Sequence, residues 1–193
     1  MVELQHGVEP AELAAFRSAN SAASLKDFDS SAFQPAKRAS KAALHRDQGG
    51  LCAYCEQMLA ATAGQIDHIK PKSVQSDLCF TYTNYAHSCI NNKTCGQKKK
   101  NNLLPIEPAL GCNQEWTLSS TDGSIQPILG LTRARKHQVI QTRDMLGLNA
   151  DSKLLDERKK WFAQTLFILR EAPADLPLFL QAAPFRFILQ VSI

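Results

Sequence analysis

Cys52-Ala-Tyr-Cys55, then Gln65-Ile-Asp67-His68-Ile-Lys70-Pro-Lys72-Ser73, then Asn84, Cys89 and Cys95-Gly-Gln97-Lys98-Lys99-Lys100 is the stretch that decides how this chain is read. Two cysteines two residues apart make half of a zinc clip, and a second pair further on closes it. The second pair is more widely spaced, with five residues from Ile90 to Thr94 between Cys89 and Cys95, which still permits four-coordinate geometry. Between the pairs lies a histidine preceded by an acid. A carboxylate that holds a divalent ion, beside a neutral histidine that takes a proton from water, is a workable hydrolytic pair. Neighbours on a strand point to opposite faces, so a bend or bulge is expected to bring Asp67 and His68 to one site.

Charge supports the same reading. From 64 to 104 the chain has six lysines against two aspartates, an excess equal to the +4 of all 193 residues. A local basic patch around an acid–histidine pair suits a polyanion such as DNA or RNA. Composition, at 44% hydrophobic and 21% charged, is that of an ordinary soluble globular protein. No apolar run approaches the ~18 residues of a membrane span, and the N-terminus lacks a secretory pattern. The expected location is cytoplasmic, with no membrane partner. In a reducing compartment six clustered cysteines argue for metal rather than disulfides. Cys79 and Cys112 have no paired neighbour and read as ordinary thiols. His6, His45, His87 and His137 have no motif around them.

Outward from the motif, three regions are expected: a helical region 1–49, a metal-organised core 50–104, and a region 105–193 with a hairpin, helices and an apolar tail. Helices are predicted over 10–23, over 34–47 with Pro35 in the first turn, over 132–146 ended by Gly147, and over 151–171 with Asp151 as N-cap. Serine-rich residues 18–31 read as a loop. Leu154, Leu155, Trp161, Phe162, Leu166 and Leu169 are the predicted buried face of the last helix. Within the core, the pattern predicts a cysteine knuckle, a short strand up to the Ala63-Gly64 turn, a returning strand over 65–69, and a helix starting near Cys95. Thr121-Asp122-Gly123-Ser124-Ile125 signals a hairpin turn. The tail, with Phe179, Phe185, Phe187, Ile188 and Leu189, either packs back on the body or meets a partner. The fold class is α+β, a zinc-stapled ββα-metal core flanked by helices.

Cys-x-x-Cys, Asp-His-Ile-x-Pro, an asparagine five residues before a cysteine, and a lysine-rich turn resemble the HNH endonuclease family. Gly50 to Glu56, Asp67 to Ser73, Cys95 to Lys99 and Asp122 to Ile125 are similar to the HNH subunit of Septu-type and retron-associated anti-phage defence systems. The resemblance implies His68 as general base, Asp67 as ligand of a Mg²⁺-like ion, and Asn84 as the residue that fixes the histidine loop or orients the base. Cys52, Cys55, Cys89 and Cys95 would hold a structural Zn²⁺, and Lys70, Lys72, Lys98, Lys99 and Lys100 would contact nucleic-acid phosphates. Many family members carry a second metal-binding histidine or asparagine just after the last cysteine. Here Gln97 stands there, with Asn101 as the substitute if the helix register differs. The resemblance also implies a partner, an ABC-like ATPase, and the chain has no Walker-type loop of its own. Two other readings are a zinc-knuckle binding module without catalysis and a stand-alone restriction- or homing-type HNH enzyme.

Overall fold

The computed structural model describes residues 1–193. Helix α1 (Ala11–Ala19) is shorter than predicted. Asn20 closes it, its backbone and side-chain amides both donating to the Phe16 carbonyl. The serine-rich stretch that follows is a pair of 3₁₀ turns, Leu25–Asp29 and Ser31–Phe33, rather than an open loop. Phe28 and Phe33 bury here and hold the turns down. Helix α2 (Gln34–Asp47) has Pro35 in its first turn, as predicted, and ends at Gly49 and Gly50, both with positive φ.

The pairing of the central strands differs from expectation. Strand β1 (Gln65–His68) does not return along the segment before Gly64. It pairs antiparallel with β2 (Tyr85–Ser88), with Gln65 opposite Ser88 and His68 opposite Tyr85. The segment after the cysteine knuckle contributes one isolated bridge, Leu51 to Met58. The physical reason is burial. All four residues of β2 are buried, so its backbone needs a ladder partner, whereas Glu56 takes a left-handed φ of 62° to close the knuckle and cannot continue a strand. Helix α3 (Cys95–Lys99) completes the ββα order and starts where predicted.

Beyond it, β3 (Trp116–Leu118) and β4 (Ile125–Pro127) form the expected hairpin. Helix α4 (Arg133–Met145) is capped by Thr132, and α5 (Ser152–Glu171) by Asp151, whose side chain accepts from the Lys153 amide. Gly147 ends α4 with φ +59°; a Cβ there would lie 2.2 Å from the Lys93 carbonyl oxygen, so the glycine also lets the cysteine loop approach. The buried face of α5 is Leu154, Arg158, Phe162 and Thr165; Leu166 and Leu169 are exposed, contrary to expectation. Arg158 is fully buried, with Nη1 on the Leu148 carbonyl at 2.7 Å and the guanidinium 5.9 Å from the Phe185 ring, while its Nε and Nη2 have no hydrogen-bond partner.

The tail folds as α6 (Leu176–Ala182) and α7 (Arg186–Gln190). Phe185, Ile188 and Leu189 enter a core shared with Met1, Val2, the knuckle, the β3–β4 hairpin, α4 and α5. A second core joins α1, α2 and the 3₁₀ turns to Ile66, Cys79, Tyr82 and Tyr85. The β1–β2 hairpin therefore sits between two apolar clusters, which is what holds the acid–histidine pair.

Candidate active site and cysteine cluster

The four cysteines of the motif converge. Their sulfurs all lie within 4.8 Å of one another; Cys52 to Cys95 is 3.7 Å and Cys55 to Cys89 is 3.9 Å. Sulfurs about 2.3 Å from a central zinc sit about 3.8 Å apart at the corners of a tetrahedron, so the cluster fits a four-thiolate metal site. Burial pushes the Cys95 thiol up. Burial also opposes ionisation of Cys52, but the thiols of Cys55, Cys89 and Cys95 outweigh it and hold Cys52 well below the usual thiol range. The Cys89 amide points at the Cys52 sulfur, 3.3 Å away. Cys79 and Cys112 are separate buried thiols.

The knuckle is tied to both ends of the chain by Glu56. Its carboxylate takes the Met1 ammonium at 2.8 Å and the Phe187 amide at 2.8 Å. Its carbonyl accepts from the Phe185 amide.

Asp67 and His68 border one cleft of about 260 Å³, with Gln65, Ile66, Phe28, Asp29, Lys37, Pro71, Lys72, Lys100 and Asn101. No bulge is needed. β1 pairs with β2 in unbroken register and on one side only, and all four of its residues line the cleft. His68 Nε2 donates to the Cys79 carbonyl at 2.9 Å, which fixes the proton on Nε2 and leaves the Nδ1 lone pair as acceptor. Burial lowers the His68 pKa to about 4, so the ring is neutral at neutral pH.

Asp67 is more crowded. Its Oδ2 accepts from the Tyr54 hydroxyl at 2.5 Å and faces the Lys99 ammonium at 3.0 Å. Burial raises its pKa, with Lys99 and Tyr54 opposing that rise. Oδ1 is the free oxygen, and it lies against Gly96: a Cβ on that residue would approach it to 3.0 Å. Asn84 is buried and fully used. Its Oδ1 accepts from the Lys70 amide, and its Nδ2 donates to the carbonyls of Lys70 and Leu78. It therefore braces the 69–84 loop and does not reach the base.

The lysines separate by position. Lys72 and Lys100 border the cleft, and Lys98 is exposed away from it. Lys70 is half-buried outside the lining. Lys99, expected as a phosphate contact, is fully buried, with Nζ on Asp67 and on the His68 carbonyl at 2.6 Å. Gln97 turns its amide to Gln65 at 2.7 Å, whereas Asn101 borders the cleft. Sequence reasoning missed Tyr54, Phe28, Asp29, Lys37 and Gln65. Tyr54 carried one signal, since a tyrosine inside a buried Cys-x-x-Cys needs a hydroxyl partner. Lys37 carried none, because only the docking of α2 brings it to β1.

No protein-family model matches the chain. Over 179 residues it is 42% identical to the protein assigned as the HNH endonuclease of retron Vc95 in Vibrio cholerae serotype O1 biovar El Tor, an alignment that covers 88% of this chain and 86% of that one. With that identity along most of its length, the chain belongs to the HNH endonuclease family and is a phosphodiester hydrolase.

Proposed function

We propose that this protein is the DNA-cutting effector of a retron-associated anti-phage defence system, acting in the cytoplasm under the control of a separate ABC-like ATPase. Its working parts would be a nuclease core over 50–104 stapled by zinc on Cys52, Cys55, Cys89 and Cys95, with 1–49 and 105–193 as flanking regions. The observation that carries the reading is the neutral His68, its Nδ1 open, beside Asp67 in one basic cleft. The retron named for the relative supports the defence setting, and the absence of a Walker-type loop is why nucleotide control is assigned to another chain.

His68 Nδ1 takes the proton of the attacking water. The Cys79 carbonyl, holding Nε2–H, favours the ring that results. Asp67 Oδ1 would hold a Mg²⁺-like ion, with Asn101 better placed than Gln97 as a further ligand; such ions commonly take one or two carboxylates and complete their shell with water and substrate phosphate. Bound there, the ion supplies Lewis-acid polarisation of the phosphate and charge for the leaving oxygen. Lys72 and Lys100 face the substrate's phosphates. Asn84 keeps the loop after His68 in place.

The test is a cleavage assay on plasmid and single-stranded DNA with Mg²⁺, using the chain alone and co-expressed with any ATPase encoded beside it. His68→Ala should lower cutting by about 10²- to 10⁴-fold, while the protein stays folded, with a melting temperature lowered only by the loss of one buried ring, and DNA affinity stays near wild type. Near-normal cutting by that variant would show that the base has been misassigned.

A further inference from the structure

The cleft rim carries a cluster of which the assignments above use Lys72 alone. The ammonium groups of Lys37 and Lys72 each lie 4.6 Å from the centre of the Phe28 ring. They come from α2 and from the loop after β1. Two like charges gathered on one aromatic face repel unless an anion lies between them. Asp29 is that anion. Its Oδ1 is 2.7 Å from Lys37 and its Oδ2 is 3.7 Å from Lys72. The Asp29 side chain is 71% exposed, and these two lysines are its only polar partners. The Phe28 ring also meets His68, centroid to centroid at 4.6 Å, so the cluster adjoins the base.

A phosphodiester presents what the Asp29 carboxylate presents: two oxygens sharing one negative charge. We propose that Lys37 and Lys72, over Phe28, form a seat for one backbone phosphate beside the scissile bond, and that Asp29 fills this seat until substrate displaces it. Past Lys37 a second groove of about 270 Å³ runs along α2, bordered by Arg38, Lys41 and Gln65, and gives the strand a basic path away from the cleft. The inference deepens the nuclease reading and rests on it. The N-terminal helical region then takes part in substrate binding, and the free protein carries an internal competitor for its own substrate.

The test is fluorescence anisotropy with a fluorescein-labelled 20-nucleotide DNA, single-stranded and duplex. It uses full-length zinc-loaded protein in a His68→Ala background, so that nothing is cut. Asp29→Asn should bind about 3- to 10-fold tighter, since it removes the competitor and a repulsive charge. Lys37→Ala should bind more weakly and flatten the slope of log affinity against log salt by about 0.7 to 0.9. In a Lys37→Ala/Lys72→Ala background the gain from Asp29→Asn should shrink to the part owed to charge repulsion alone, less than about 2-fold, because the competition acts through the lysines. Unchanged affinity for Asp29→Asn, or a gain undiminished by loss of both lysines, overturns the seat. If His68-containing protein still cuts DNA in that case, the nuclease reading stands without it. Failure of every version to bind and to cut overturns both.

Discussion

Lys99 stands in a run of three lysines, and its neighbours Lys98 and Lys100 are exposed while it is not. A five-residue helix explains the difference. Lys98 and Lys99 lie on α3 and Lys100 just past its end; Lys99 is the one turned toward β1, where its ammonium meets Asp67 Oδ2 and the His68 carbonyl. A buried charge survives only with such partners. Removing it leaves Asp67 in a low-dielectric pocket with the Tyr54 hydroxyl alone. We expect Lys99→Met to destabilise the protein by about 3 kcal/mol, a fall of roughly 6–12 °C in melting temperature for a chain of this size. Lys98→Ala should stay within about 0.5 kcal/mol of wild type. Calorimetry of the two variants checks this. A Lys99→Met protein that melts normally and loses only DNA affinity would return the residue to the role of phosphate contact.

At the scale of elements, β1, β2 and α3 are too short to stand alone: four, four and five residues. Short strands and single-turn helices are marginal without packing or a staple. The cysteine cluster is that staple. It joins the knuckle after α2 to the end of β2 and the start of α3, and the Cys95 amide is further held by the Leu146 carbonyl at 2.8 Å. Metal binding at such a site is folding free energy. Freshly purified protein should contain one zinc per chain by elemental analysis. Chelation, or Cys55→Ser, should lose the near-ultraviolet circular dichroism of the Tyr54–Asp67 region and expose the core to proteolysis. Metal-free protein that keeps its native spectrum and protection would mean the thiols pack without a metal.

For the whole molecule, the decisive fact is that both ends of the chain meet at the knuckle. Met1 and the start of α7 share the Glu56 carboxylate, and Phe185 lies in the same core as Cys52 and Cys55. The apolar tail is thus structural at Phe185, Ile188 and Leu189. Within α5 and α6, Phe167 and Leu178 stay exposed. Truncation after residue 172 should yield protein that aggregates or refolds poorly. Phe185→Ala should cost about 3–5 kcal/mol, the usual loss for deleting a buried ring. A truncated chain that purifies as a folded, zinc-containing monomer would show that the tail is dispensable to the core.

The chemistry-bearing positions were legible in the residues alone because their signals are local. Cysteine spacing marked the four sulfurs that converge, Asp67 and His68 were neighbours in sequence, and Pro35, Gly147 and Asp151 marked helix ends through fixed φ, positive φ and a side-chain cap. The partner of β1 was not legible. Pairing over 65–68 with 85–88 is decided by which strand is covered on both faces, and that depends on two cores built from residues far apart in sequence. The same holds for Lys99, whose burial depends on the turn of α3 against β1, and for Lys37 and Asp29, which reach the cleft only because α1, α2 and the 3₁₀ turns pack on Ile66 and Tyr85. The amino-acid sequence by itself determined which four cysteines gather and that Asp67 and His68 adjoin, since these rest on residue type and short spacing. Only the tertiary structure decided which lysines border the cleft and where the tail goes, since burial and charge pairing arise from long-range contacts that no local pattern records.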